Sequence, residues 1–412
     1  MVDAALDRET SDRFHALNTL AWAVRIKPNL SPRKVQRAFN DVTRRHDSLR
    51  LRIAETAGEW VAQIHAQHPA GLVIEDHGPF SHDDQMKIVA EKCRVPMTAL
   101  DPVLFEMHLL RFGDEGDVIL TRGHHAIMDA YSVSILMEEA IAGFLNIPVA
   151  GSAVSHTDFV DRRARLSNQR AEEKKAYWEH ALLPAPEPLN LGRQKKGLPP
   201  LTRVNMGPTV RLDNFLTEDA AARVHHRFQT SGATAFSQIQ AVFGDSVCAL
   251  GGGEHAMWLS ILGRQDAKLS RFVGAEMQAL RMKYAARSGA KTLNDAMSRS
   301  ADMVPAGCFG PDTPLGQLYY QFFVNIPKPL GRLKNSPLGK ALGSSGANRF
   351  SMGPIEIENL TIPETEGTDY ELRLLVGPDP DHPNASFLAD AASWDFSELE
   401  DLAATMNEEI LL

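Results

Sequence analysis

The segment from Leu104 to Phe144 constrains the fold more than any other part of the chain. Two apolar runs, Leu104 to Leu110 and Val118 to Thr121, flank Gly113-Asp114-Glu115-Gly116, a pattern that predicts two strands around a turn. Arg122-Gly123-His124-His125-Ala126-Ile127-Met128-Asp129-Ala130 follows directly, and from there Val133, Leu136, Met137, Ala140, Ile141 and Phe144 recur at helical spacing. A strand, a His-rich loop and an amphipathic helix therefore stand in succession. Strand-to-helix loops are places where reactive side chains are displayed.

Helical and strand-like segments alternate through both halves, so the expected class is α/β. Ser31 and Pro32 read as a cap and first helical position, with Val35, Ala38, Phe39 and Val42 behind them, predicting a helix over 32–47. Thr217 to Gln229 and Thr234 to Leu250 read as two more, the second ended by Gly251-Gly252-Gly253. The 412 residues suffice for two lobes, each with its own core. Five prolines within Pro184 to Pro200 mark a linker, which sets lobes of 1–190 and 200–412 as the expectation.

Lys and Arg number 43 against 52 Asp and Glu, a net charge of −9, which disfavours nucleic acid and anionic membranes as partners. Cys93, Cys248 and Cys308 are widely spaced and odd in number, so neither a disulfide framework nor a thiolate zinc site is indicated. Without a run of about 18 uncharged apolar residues, no membrane span is expected. Cytoplasmic residence fits these features.

Two adjacent histidines on a loop point in different directions, so one is expected to be structural and the other functional. Imidazole, with a pKa of about 6.5, can accept and return a proton near neutrality, as acyl transfer to an amine or hydroxyl requires. Asp129 can orient an imidazole or pin the loop through an arginine. The residues alone also permit a hydrogen-bonded loop with Asp129 as a helix cap. Zinc or non-haem iron lacks a third ligand at recognisable spacing, and no G-x-S-x-G supports a serine nucleophile.

His124 to Glu139, HHAIMDAYSVSILMEE, resembles the H-H-x-x-x-D-G-x-S-x-x-x-L-x-x-E signature of nonribosomal peptide synthetase condensation domains, relatives of chloramphenicol acetyltransferase. Arg45-His46-Asp47-Ser48-Leu49-Arg50 is similar to their R-H-E-x-L-R. Asp158-Phe159 and Tyr177-Trp178, Gly263-Arg264 with Gly274, Pro314-Leu315 to Asn325, and Tyr370-Glu371-Leu372 resemble further segments in family order. The resemblance implies two chloramphenicol-acetyltransferase-like lobes in a V with a tunnel between them. It implies His125 as the catalytic histidine, His124 as its support, and Asp129 as the loop's anchor through a salt bridge to Arg264. Ala130, Ser132 and Gln278 would line the substrate channel.

The implied reaction moves an acyl group from a phosphopantetheine thioester, on an acyl or peptidyl carrier protein or coenzyme A, to a small amine or alcohol. No bound cofactor or metal is expected, because the phosphopantetheine arrives with the donor. Two departures stand out: Ala130 replaces the signature glycine, and Val273 to Ala279 differs from the family's V-G-x-F-x-N-T. They motivate an alternative, a catalytically silent module that binds a carrier or recruits a partner enzyme. The chain ends about where a condensation domain ends, so a freestanding enzyme or an excised domain is expected. His225-His226, the Gly251 to Gly253 run, the Arg162 to Lys175 basic stretch, Met277 and Met282 are read as helix face, turn, solvated face and core packing.

Overall fold

The computed structural model describes residues 18–412 except 150, 202–207, 263–266, 277, 304–308, 310–311, 327–348, 353, 361–367, 369 and 378. In chain order the strands are β1 (Thr19–Lys27), β2 (Leu51–Thr56), β3 (Glu59–Ile64), β4 (Val73–Asp76), β5 (Phe105–Arg111), β6 (Asp117–His124) and β7 (Thr209–Leu212). There follow β8 (His255–Leu262), β9 (Gln278–Ala285), β10 (Phe322–Asn325), β11 (Arg349–Met352), β12 (Ile355–Asn359), β13 (Leu372–Val376) and β14 (Ala385–Asp390). The helices are α1 (Pro32–Arg45), α2 (His82–Arg94), α3 (Ala130–Phe144), α4 (His156–Asn168), α5 (Ala171–Leu182), α6 (Gly192–Lys195), α7 (Glu218–Ser231), α8 (Ala235–Gly251), α9 (Gly289–Asp302) and α10 (Phe396–Leu411).

The chain divides into two compact units. The first comprises Met1–Phe159, Asp266–Glu276 and Lys328–Thr365, and the second Val160–Gln265, Met277–Pro327 and Glu366–Leu412. This differs from the boundary drawn at Pro184 to Pro200, a stretch that lies inside the second unit. Tertiary pairing accounts for the difference: β12, more than 300 residues downstream, hydrogen-bonds to β1 with Val24 opposite Asn359, and so belongs with the first unit.

The first unit holds a six-stranded sheet ordered β11-β12-β1-β6-β5-β4, antiparallel except for the β4–β5 pair, and a separate β2-β3 hairpin. β6 lies between β1 and β5 with all eight residues buried, the environment of a strand covered on both faces. Its first residue, Asp117, accepts the Leu30 amide at 2.8 Å. α1 starts as expected at Ser31-Pro32 and buries Val35, Ala38, Phe39 and Val42, but stops at Arg45. There Arg50 donates to the carbonyls of Thr43 and Arg44, satisfying acceptors that no further helical turn can reach.

The second unit carries a six-stranded sheet ordered β7-β14-β13-β10-β8-β9, with β10 parallel to both neighbours. Its core gathers Trp178, Phe243, Trp258, Phe322 and Phe387, all buried. α8 ends at Gly251 and Gly252, with φ of +69°, caps it, so the glycine run closes the helix. In the basic stretch, Lys174 departs from the solvated reading: it is buried and donates to the Leu166 carbonyl. Among the described residues no helix is long and apolar enough to cross a membrane.

Candidate active site

β6 runs through Gly123 and His124, so the first histidine ends a central strand and the second opens the loop. Gly123 leaves room for Met128: a Cβ there would run into the Met128 sulfur unless that side chain moved. His124 is 1% exposed. Its backbone N–H donates to Leu104 O at 2.9 Å and its carbonyl accepts from Ile127 N at 3.0 Å. Its Nδ1 accepts the Ala126 amide at 3.0 Å, which places the proton of a neutral ring on Nε2.

His125 has a different environment. Its backbone N–H donates to Asn18 O at 2.7 Å, and its ring is half-buried rather than enclosed. Its Nδ1 is buried and has no hydrogen-bond partner among the described residues. The two imidazoles thus differ in surroundings: the buried His124 ring accepts a turn amide at Nδ1, and the half-buried His125 ring follows the end of the strand.

Asp129 caps α3. Its Oδ1 accepts from Ser132 N and Ser132 Oγ, each at 2.7 Å, while the Asp129 N–H donates to Ser132 Oγ at 3.3 Å, a reciprocal capping box. Its Oδ2 accepts the Glu276 amide at 3.1 Å. The loop is therefore pinned to residues 274–276 by a carboxylate–backbone bond. Arg264, the salt-bridge partner expected for Asp129, lies outside the described residues.

Ser132, expected to line the substrate channel, is buried. Its Oγ lies 3.0 Å from both Gly274 N and Gly274 O, joining α3 to the same segment as Asp129 does. Gly274 must lack a side chain because a Cβ would enter the Phe272 ring. Ala130 is half-buried at the first position of α3. Gln278 opens β9 opposite Leu262.

A charged cluster that local sequence patterns do not predict sits farther along α3. Glu139 is 3% exposed. Its Oε2 accepts from His46 Nε2 at 2.9 Å and pairs with Arg45 Nε at 3.1 Å, while Oε1 lies 3.5 Å from Arg271 Nη1. Burial pushes its carboxyl up, but the His46 hydrogen bond and the neighbouring positive charges outweigh burial and hold it below the usual carboxylate range. Next to His46, Asp47 accepts the His156 amide at 2.9 and 3.0 Å and so anchors the start of α4. The signal is present in the sequence, since Arg45-His46-Asp47 and Glu139 both fall in motif segments, but no spacing rule says that they meet. Among the described residues no group of three or more His, Cys, Asp or Glu is arranged to hold a metal ion.

His225 lies on α7 with Nδ1 3.1 Å from Pro380 O and 3.8 Å from Asp381 Oδ1, contacts within the second unit.

The condensation domain family model matches residues 10–381. A linear gramicidin synthase polypeptide of Brevibacillus parabrevis is 27% identical over 327 residues, 76% of this chain but 4% of that protein. The chain thus spans a small fraction of the relative's length. Among solved structures, the X-domain in complex with OxyB from teicoplanin biosynthesis superimposes with a TM-score of 0.74 at 15% identity, covering 99% of this chain and 91% of that one. The first condensation domain of the calcium-dependent antibiotic synthetase does so with a TM-score of 0.70 at 15% identity, covering 97% and 92%. The fold is accordingly the α/β fold of these domains, and with a family match across most of its length the chain belongs to the condensation domain family.

Proposed function

We propose that the protein is a condensation-type acyltransferase. It transfers an acyl group from a phosphopantetheine thioester, on a carrier protein or coenzyme A, to an amine or hydroxyl, forming an amide or ester. The feature that carries this reading is the His124-His125-Ala126-Ile127-Met128-Asp129 motif, in which a half-buried His125 opens the loop between β6 and the capped helix α3. Membership of the condensation family supports it.

In this reading the acceptor's N–H or O–H is deprotonated or oriented by His125 as its heteroatom attacks the thioester carbonyl. The C–S bond breaks, the thiolate leaves, and the proton returns to sulfur. A placed base contributes about 10²- to 10⁴-fold, and alignment of the two reactants supplies more. His124 supports the turn, and Asp129 acts by position, holding the loop through Ser132 and Glu276. The phosphopantetheine is part of the donor, so the chain supplies no prosthetic group.

His125→Ala abolishes product formation from acyl-pantetheine donors with a panel of amines and alcohols, while circular dichroism and melting stay near wild type. Unimpaired transfer by this variant overturns the assignment. Ala130, where the resembling signature carries glycine, favours a second reading as a recruitment module. Carrier binding without turnover under every donor selects it.

A further inference from the structure

We propose that Arg271 and Glu139 are positioning residues, forming the second of two bolts that hold residues 267–276 in register along α3 and thereby set the loop that carries His125. The first bolt is the Asp129–Ser132 group, which grips Gly274 and Glu276. The second lies at Glu139. Seven residues separate Ser132 from Glu139, which at about 100° each is close to two full turns, so both face the same side of α3 roughly 10 Å apart. On the opposing segment Gly274 meets Ser132 and Arg271 meets Glu139.

This segment is unusual in its connectivity. β8 and β9 are antiparallel neighbours in the second unit, yet the chain joining them enters the first unit over Asp266–Glu276. A long connection with little secondary structure of its own does not hold its course by backbone pairing, so side-chain anchors set its position. Only a short 3₁₀ turn, Ala267–Leu269, is regular among its described residues. Phe272 adds an apolar contact, stacked on Phe159 at 4.2 Å between ring centroids.

The Glu139 bolt also reaches beyond this segment. Arg45 donates to Gly151 O at 2.5 Å, and the Arg271 guanidinium passes so close to Gly151 that a Cβ there would lie 3.4 Å from Nε. Gly151 has φ +78°, which glycine adopts without strain. One buried carboxylate thus fixes the end of α1, the approach to α4 and the 267–276 segment together. Arg271 has 17% of its side chain exposed, and it can be changed while Arg45 still pairs with Glu139 and His46 still hydrogen-bonds to it.

The role of this pair in catalysis rests on the acyltransferase reading, but its role in holding the segment does not. The test uses the full chain with Arg271→Gln and Arg271→Lys, followed by amide hydrogen exchange. Arg271→Gln is expected to raise exchange at least tenfold within 267–276 while the strands of the first sheet keep wild-type protection. Arg271→Lys, which keeps the charge, restores most of the protection. In a transfer assay kcat falls by up to ~10²-fold with KM little changed, the effect of misplacing a catalytic group from a distance. Unchanged exchange in 267–276, or loss of protection spread across the whole first unit, overturns the proposal. Increased exchange confined to 267–276 with kcat unchanged overturns the catalytic part and leaves the acyltransferase assignment standing. Failure of wild type to transfer removes that assignment, and the exchange result still decides the bolt.

Discussion

Replacing Asp129 separates two jobs that one carboxylate performs. Asp129→Ala removes the acceptor for Ser132 N and for Glu276 N, both buried. Loss of a helix cap costs about 1 kcal/mol. Leaving the Glu276 amide without its acceptor costs a further ~1–3 kcal/mol, so the expected loss is about 2–4 kcal/mol, a large part of a typical ~5–15 kcal/mol. Asn is as good a cap as Asp, so Asp129→Asn keeps the Oδ1 bonds. Its amide nitrogen, however, turns a donor toward the Glu276 N–H, and only the ~1–3 kcal/mol of that contact is lost. Urea denaturation followed by tryptophan fluorescence, with Trp22 on β1 reporting the first unit, measures both variants. Amide exchange separates them: Asp129→Ala frees the first turn of α3 as well as 274–276, and Asp129→Asn frees 274–276 alone. A wild-type midpoint for Asp129→Ala, or equal losses for the two variants, refutes the division of labour.

Further outcomes concern pH and packing. Burial lowers the His68 imidazole, and burial lowers His156 against the opposing charge of Asp47. The unfolded chain therefore binds more protons below its histidine pKa of about 6.5, and stability falls as pH drops from 6.5 through the folded-state values. His156→Phe keeps the ring stack on Phe272 and makes this fall shallower, as denaturant midpoints between pH 5 and 7 would show. Glu106 is held down to about 2 by its His108 hydrogen bond and the Arg122 charge, against burial. Its contribution is complete above the ordinary value of 4.5 and is lost as pH falls from there toward about 2, so Glu106→Gln flattens the acid limb of the stability curve. Gly123→Ala forces Met128 off the strand and costs about 1–3 kcal/mol with reduced transfer, while Gly71→Ala, with nothing within 4 Å, stays within ~0.5 kcal/mol in thermal melts.

The parts of the structure legible in advance are those whose causes lie within a few residues. The start of α1 at Ser31-Pro32, the strands around Gly113 to Gly116, α3 behind the histidine motif, and α7 and α8 follow from caps, turns and apolar spacing. The motif itself can be seen because its residues are adjacent. Its exact placement is not a local property: the second strand extends through His124, so this histidine belongs to the sheet and only His125 stands beyond it.

The roles of Ser132 and Glu139 cannot be read in the same way. Ser132 falls in the signature segment, whose resemblance implies a channel residue, but its hydroxyl faces Gly274, 142 positions later. Glu139 is one of many acids on helical faces until the fold brings it to His46, 93 residues away, and to Arg271. Local pattern carries no information on which distant groups meet.

The linear order of residues is enough for the local elements, the α/β class and the family, because backbone preferences, capping and motif order act over short stretches. Folding in three dimensions is what makes β12 complete the first sheet, assigns 266–276 to the unit that holds α3, and buries one of two neighbouring imidazoles while leaving the other half-buried. Those outcomes depend on burial and on hydrogen bonds between residues far apart in sequence, where a buried donor or charge must find a partner wherever the fold supplies one.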